Sequence, residues 1–484
     1  MPNLSKKAKV FFCALLSLLL INFFSGTAIA AETITWQFVT VDQGINANDT
    51  VGKYLSLDYL PPSTIYMAYY DETNTALRFA ECNVSFAPNN CRVGSDWTKT
   101  TVDNNGDVGQ YASVHGKRIS YYDATNQNLK FAWYVGENNG NCSTDNSWNC
   151  ITVDSTGDVG QYTSLSYKPG VGMFQCGNLG AIISYYDVTN SALKYAIKET
   201  DDPPECDDFV IETVDNTSTN FDGKGTSIQF NSYNQRPAIA YYSQNSNGDG
   251  ILKFAERVSG SGCSDSDWTC ETASTISGKQ VGQYPSLAGY EESGWVAGIS
   301  HHNATDKNLH FTTRLGGTWH TTLIDANDDV GEYTSIAYGN AWTNGGPWHI
   351  SYYDATDQAL KYANGPISGG GGTCSSDGGS SDWDCYKTNY PAPDTGDYGK
   401  YTSIFVPMAG GGKDGGGVSN QVVIGYFNTD NNGDAKITFG NGPTPQQPAI
   451  SEFKNYWYVA ITAITALILF FIVRWQFKKK EVKK

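Results

Sequence analysis

Four short phrases return seven times, always in the same order, between residues 36 and 440, and this period rules out most folds at once. Residues 106–132 give the clearest copy, GDVGQYASVHGKRISYYDATNQNLKFA. It holds a glycine turn into Tyr-x-Ser, an apolar run ending Tyr-Tyr-Asp, and a four-residue turn into Leu-Lys-Phe-Ala. The first phrase begins at Gly52, Gly109, Gly160, Gly223, Gly282, Gly331 and Gly399, a mean period of about 58 residues. The second stands at Tyr69, Tyr121, Tyr185, Tyr241, His301, Tyr352 and Tyr426. A fourth phrase, an aromatic followed by a run often ending Val-Asp or Ile-Asp, precedes each copy, as in Trp97 to Asp103.

Each phrase is four to seven residues long, rich in Tyr, Ile, Val, Phe and Thr, and bounded by Gly, Asn, Asp and Ser. That is the signature of short strands. Four strands repeated seven times predict an all-β, seven-bladed β-propeller, in which stacked blades bury both faces of each sheet and ring closure hides the sheet edges. The chain ends point to how the ring closes. Trp36 to Asp42 is a fourth-type phrase standing alone before the first repeat, and the last repeat stops after its third phrase, so the N-terminal strand is expected to complete the last blade.

Antiparallel order sorts the loops. Those joining strands one to two and three to four share one face, while the two-to-three turns and the blade connections share the other. Of 11 cysteines, ten lie beyond the leader, an even number that reads as a disulfide framework. Repeat position predicts Cys82–Cys91, Cys142–Cys150, Cys176–Cys206, Cys263–Cys270 and Cys374–Cys385, all on the first face. Zinc is disfavoured by the absence of Cys-x-x-Cys spacing.

Residues 1–30 carry Lys6, Lys7 and Lys9, an apolar run and Ala28-Ile29-Ala30, which predicts a secretory leader. Residues 456–475 form a second apolar run, followed by Lys478, Lys479, Lys480, Lys483 and Lys484. This predicts one transmembrane helix with a cytoplasmic tail (476–484), a Pro-rich spacer (443–455) and an ectodomain (31–442) outside the cytoplasm. Residues 31–455 hold 23 basic and 48 acidic residues, about −25. Such a charge argues against nucleic acid and anionic lipid as partners and leaves divalent cations, basic proteins or neutral sugars.

Candidate sites are acidic. Asp71, Asp123, Asp187 and Asp354 head the two-to-three turns and are candidate ligand groups, although an Asp opening a turn also bonds backbone N–H groups two residues on. In the last repeat, Asn428, Asp430, Asn432 and Asp434 place oxygen side chains at alternate positions around Gly433. That run resembles the start of the calcium loops of integrin-type propellers and makes Ca2+ the one cofactor the sequence suggests. His301 and His310 are expected to face each other across a hairpin, with His302 and His349 nearby, as a two-imidazole metal pair.

A catalytic constellation is not legible. The arginines Arg78, Arg92, Arg118, Arg236, Arg257 and Arg314 are scattered, and the Ser-x-Asp-x-Gly-x-Thr-Trp boxes of sialidase-type propellers do not occur. The repeat as a whole resembles those of exported bacterial and archaeal propeller proteins with Tyr-Tyr-Asp-x-Thr-Asn-x-x-Leu-Lys-Tyr-Ala phrases, many without an assigned function. The resemblance covers about residues 36–440 and implies the fold. For function, the sequence predicts a cell-surface recognition or adhesion module binding a glycan or protein. A glycan-active enzyme and a structural scaffold are the alternatives.

Overall fold

In the computed structural model, the described residues run from Ile34 to Asn441, apart from 47, 61–62, 85–89, 143–145, 169–179, 199–207, 292–293, 340–346, 367–371, 389–395, 407–420 and 430–432. The predicted leader, spacer, membrane segment and tail lie outside them, as do Cys176 and Cys206. No helix among the described residues is long and apolar enough to cross a membrane.

The strands form seven four-stranded antiparallel sheets, one per repeat. In blade one the strands are Val51–Leu60, Thr64–Asp71, Ala76–Asn83 and Thr98–Asp103, in sequence order. The first strand of each blade lines the centre: Val51–Leu60, Val108–Val114, Val159–Tyr167, Phe221–Asn231, Val281–Glu291, Val330–Tyr338 and Tyr398–Phe405. Each packs beside the next, and the seventh meets the first. Blade seven takes Thr35–Asp42 as its outer strand, paired with Asp434–Asn441 from Thr35↔Asn441 onward. The ring therefore closes as the lone N-terminal phrase predicts.

A belt of hydrogen bonds explains the serine of Tyr-x-Ser. Ser56 Oγ accepts from the backbone N–H of Val114 in the next blade, and the same bond recurs from Leu165 to Ser113, Ile228 to Ser164, Leu287 to Ser227, Ile336 to Ser286, Ile404 to Ser335 and Leu57 to Ser403. All seven span 2.9–3.2 Å, and the last joins residues 346 apart in sequence. The glycine two residues before the tyrosine position is fixed by close approach. A Cβ on Gly109 would lie 2.7 Å from the Leu77 Cα of the preceding blade, at a φ of +109°.

Farther out, the two tyrosines of Tyr-Tyr-Asp bond in opposite directions, as strand alternation requires. Tyr121 Oη donates to Asp103 at the end of the preceding blade's outer strand, whereas Tyr122 Oη donates to Asp158 in the connection into the following blade. Asp103 also takes the ammonium of Lys130, from Leu-Lys-Phe-Ala, giving a buried Asp–Tyr–Lys triad between blades. Asp154, Tyr185 and Lys194 repeat it, as do Asp215, Tyr241 and Lys253, and Asp325, Tyr352 and Lys361. At the closure, Asp42 of the N-terminal strand receives Tyr69 and Arg78. Apolar clusters fill the space around each triad, such as Leu77, Phe79, Val108, Ile119, Tyr121 and Trp148 between blades one and two. Each such side chain contributes about 1.5–3 kcal/mol through burial.

Four of the predicted disulfides are present, Cys82–Cys91, Cys142–Cys150, Cys263–Cys270 and Cys374–Cys385, each between the third and fourth strands of one blade. The pairing of Cys176 with Cys206 falls outside the described residues.

Candidate binding site at the channel mouth

Each central strand is bulged twice near its start, where the chain arrives from the preceding blade; in blade one the register shifts between Val51 and Lys53 and again between Lys53 and Ser56. The second bulge puts the tyrosine of Tyr-x-Ser in the left-handed region. Tyr54, Tyr111, Tyr162, Tyr284, Tyr333 and Tyr401 all have φ between 51° and 54°. Bulky residues rarely adopt this conformation, and a bulge is a standard means of re-aiming a side chain.

The six rings line a cavity of about 410 Å³ at the centre of the propeller. They form a chain of contacts, Tyr162–Tyr111–Tyr54–Tyr401–Tyr333–Tyr284, with centroids 4.5–4.9 Å apart and planes inclined by 45–57°. Burial raises the pKa of all six phenols, to about 12 for Tyr284, so they remain protonated donors at neutral pH. Thr163, Thr226, Thr334, Thr402 and Gln283 add polar groups to the wall. Lys224 is the one charged lining residue, and no carboxylate lines the cavity among the described residues. Glu332 precedes Tyr333 in the strand. Burial, aided by Asp329, raises its pKa.

The turn aspartates singled out from sequence do not line this cavity. Asp71, Asp123, Asp187 and Asp354 are buried, 1–3% exposed, and spend their oxygens on their own turns. Asp71 accepts from the Asn74 N–H, Asp123 from Asn126, Asp187 from Asn190 and Asp354 from Asp357, and Asp71 and Asp187 also face Arg78 and Lys194. The acidic face is also less repulsive than its carboxylate count suggests. Lys53 pairs with Glu72, Lys279 with Asp306, Lys307 with Asp329, Lys387 with Asp357 and Lys400 with Asp397. Tyr70, Tyr122 and Tyr353 donate to Asp107, Asp158 and Asp397.

In blade seven, Asn428 and Asp434 are cross-strand neighbours, and Asp434 lies 3.4 Å from the Lys436 ammonium, which supplies its counter-charge. Asp430 and Asn432 lie outside the described residues. His301 and His310 do pair across their hairpin, with ring centroids 5.4 Å apart. His301 Nε2 meets Thr312 Oγ1 at 2.8 Å, and burial holds His301 well below and His310 at about 4. No group of three or more metal-ligating side chains occurs among the described residues.

These two histidines occupy a triad. Ser274 stands opposite Leu252 as Asp103 stands opposite Leu77, so the serine replaces the aspartate of the boundary between blades four and five. A lysine would be an unpaired buried cation there, and an imidazole can stay neutral. The histidines thus follow from the loss of one carboxylate.

The tyrosine ring has no counterpart among the residues nominated from sequence. Its signal was a tyrosine recurring at one strand position with no assigned core partner, while the serine two residues on does the structural work.

No protein-family model and no curated protein matches the chain. Among solved structures, it is similar to an α-L-arabinanase of Penicillium chrysogenum at 9% identity, over 84% of this chain and 98% of that one, with a TM-score of 0.41. An α-L-arabinofuranosidase of Fusarium graminearum aligns at 8% identity over 83% of this chain and 97% of its own, TM-score 0.42. An ulvan lyase of polysaccharide lyase family PL25 aligns at 9% identity over 85% and 96%, TM-score 0.46. At these identities and TM-scores the likeness assigns no residue a role.

Proposed function

We propose that this chain is a carbohydrate-recognition propeller, anchored by residues 456–475 outside the cytoplasm, whose ligand seats on the tyrosine ring at the channel mouth. The observation that carries this reading is the left-handed backbone of Tyr54, Tyr111, Tyr162, Tyr284, Tyr333 and Tyr401. Each is a local strain of about 1–2 kcal/mol that recurs in blade after blade and turns an aromatic face and a phenol into one cavity. Aromatic faces stack on the C–H faces of pyranose rings and the phenols donate to their hydroxyls. Concave sites lined by aromatics with a few fixed polar groups are the usual form of a small-ligand site.

A glycan-active enzyme is the second reading, favoured by Glu332, whose raised pKa beside the ring suits a proton donor. The test is a glycan array probed with the purified full-length chain, followed by a reducing-end assay on every glycan retained. Retention without new reducing ends supports recognition. Turnover abolished by Glu332→Gln moves the assignment to the enzyme, and retention of no glycan overturns both.

A further inference from the structure

Blade four breaks the ring in three linked ways. At the tyrosine position it carries Gly225, with φ of 70°, so the backbone follows the others but the ring is missing. No ring contact joins Tyr162 to Tyr284 among the described residues, and the arc opens there. Four residues earlier, where blades two, three, six and seven have Asp107, Asp158, Asp329 and Asp397, blade four has Phe221. Between them lies Lys224. The lysines at the equivalent position, Lys53 and Lys400, sit 2.6 and 2.5 Å from Glu72 and Asp397. Lys224 has no carboxylate within 4.0 Å among the described residues, and its ammonium lies 5.6 Å from the Phe221 ring centroid. Asp222, two residues away, is held by Lys253 at 2.9 Å.

Blade four thus lacks both acids that hold those lysines, with Phe221 at the Asp397 position and Gln244 at the Glu72 position, and its cation lines the cavity beside the gap. We infer that blade four is the subsite for an acidic unit of the carbohydrate ligand, its carboxylate or sulfate paired with Lys224 and its ring admitted through the space at Gly225. The flanking rings are Tyr162, Tyr242 and Tyr284, with Thr226 and Gln283 as hydrogen-bonding groups. This inference rests on the carbohydrate reading and specifies its chemistry.

The experiment is calorimetric titration of the full-length chain at 0.15 M salt with three probes of equal length: oligosaccharides of hexuronic acid, of sulfated hexose and of unsubstituted hexose. At least one acidic probe is expected to bind roughly five-fold tighter than the neutral one, the size of one exposed ion pair. Which acidic probe wins identifies carboxylate or sulfate. Lys224→Met should lower the affinity for the acidic probe to that measured for the neutral probe; because Lys224 is exposed, the variant keeps the fold. Gly225→Tyr, entering a backbone already shaped for tyrosine, should weaken all three. Neutral binding equal to or tighter than acidic binding, or a preference that survives Lys224→Met, overturns the inference and leaves the carbohydrate reading standing. Binding of no probe overturns both.

Discussion

Lys130 and Asp103 are 9% and 2% exposed, and the carboxylate also accepts from Tyr121 at 2.7 Å. Breaking such a pair from one side strands a buried charge, which costs about 3–5 kcal/mol, whereas removing both charges costs less. Lys130→Met is therefore expected to lower the unfolding free energy by about 3 kcal/mol. The double variant with Asp103→Asn should recover part of that loss, as measured by denaturant unfolding of both; strict additivity would contradict the triad as a coupled unit. Lys253 shows the same physics with two partners. Burial opposes its charge, yet Asp215 and Asp222 hold its pKa above the usual lysine value. At the boundary that lacks the acid, the sign of the pH dependence follows from the histidines. Burial depresses His301, and His310 to about 4, while the unfolded chain protonates near 6.5. The unfolded state thus binds more protons between these values. The stabilisation is complete above about pH 6.5 and is lost as the pH falls toward 4. Ser274→Asp with His301→Tyr and His310→Lys rebuilds the common triad, so its melting midpoint should fall less between pH 6.5 and 4 than that of the parent. An equal fall would place the acid sensitivity elsewhere.

At the scale of strands, the sequence was most legible where a residue had one job. Alternation and turn chemistry set the blade plan, and the unpaired phrase at residues 36–42 foretold closure because a sheet edge must find a partner. The four disulfides among the described residues followed from loop position alone. The Tyr-x-Ser phrase hid the site because its serine and its tyrosine serve different ends. Only the backbone shows the tyrosine at positive φ, since a double bulge leaves no mark in a hydrophobic pattern. The turn aspartates carry two readings in a sequence, because carboxylates that bond their own turns look like ligands there. Closure itself is testable. Deleting residues 31–42 removes both the outer strand of blade seven and Asp42, the partner of Arg78 at 2.9 Å. The truncated chain should aggregate, and Asp42→Asn alone should lower the melting midpoint by several degrees. A monodisperse truncation with the parent's midpoint would contradict closure by this strand.

A chain of net charge −17 cancels many of its acids locally and, among the described residues, leaves one uncancelled lysine at the central cavity. The seven-fold plan supplies rigidity through its serine belt and triads. Its departures, Ser274 with His301 and His310 at one boundary and Phe221 with Gly225 in blade four, are grouped changes in which one lost residue accounts for the next. The central claim is that the left-handed tyrosines exist to bind carbohydrate, and blade four supplies the control, since Gly225 carries the same backbone without the ring. The decisive measurement is a paired one on Tyr111→Gly and Tyr333→Gly in the full-length chain: thermal melting, and titration with the glycan best retained by the parent. Melting midpoints within a few degrees of the parent, with binding weakened at least ten-fold in each variant, are the predicted result, because stacked aromatics contribute about 1–3 kcal/mol to binding when the fold does not depend on them. Unchanged binding, or loss of binding only in step with loss of the fold, would contradict it.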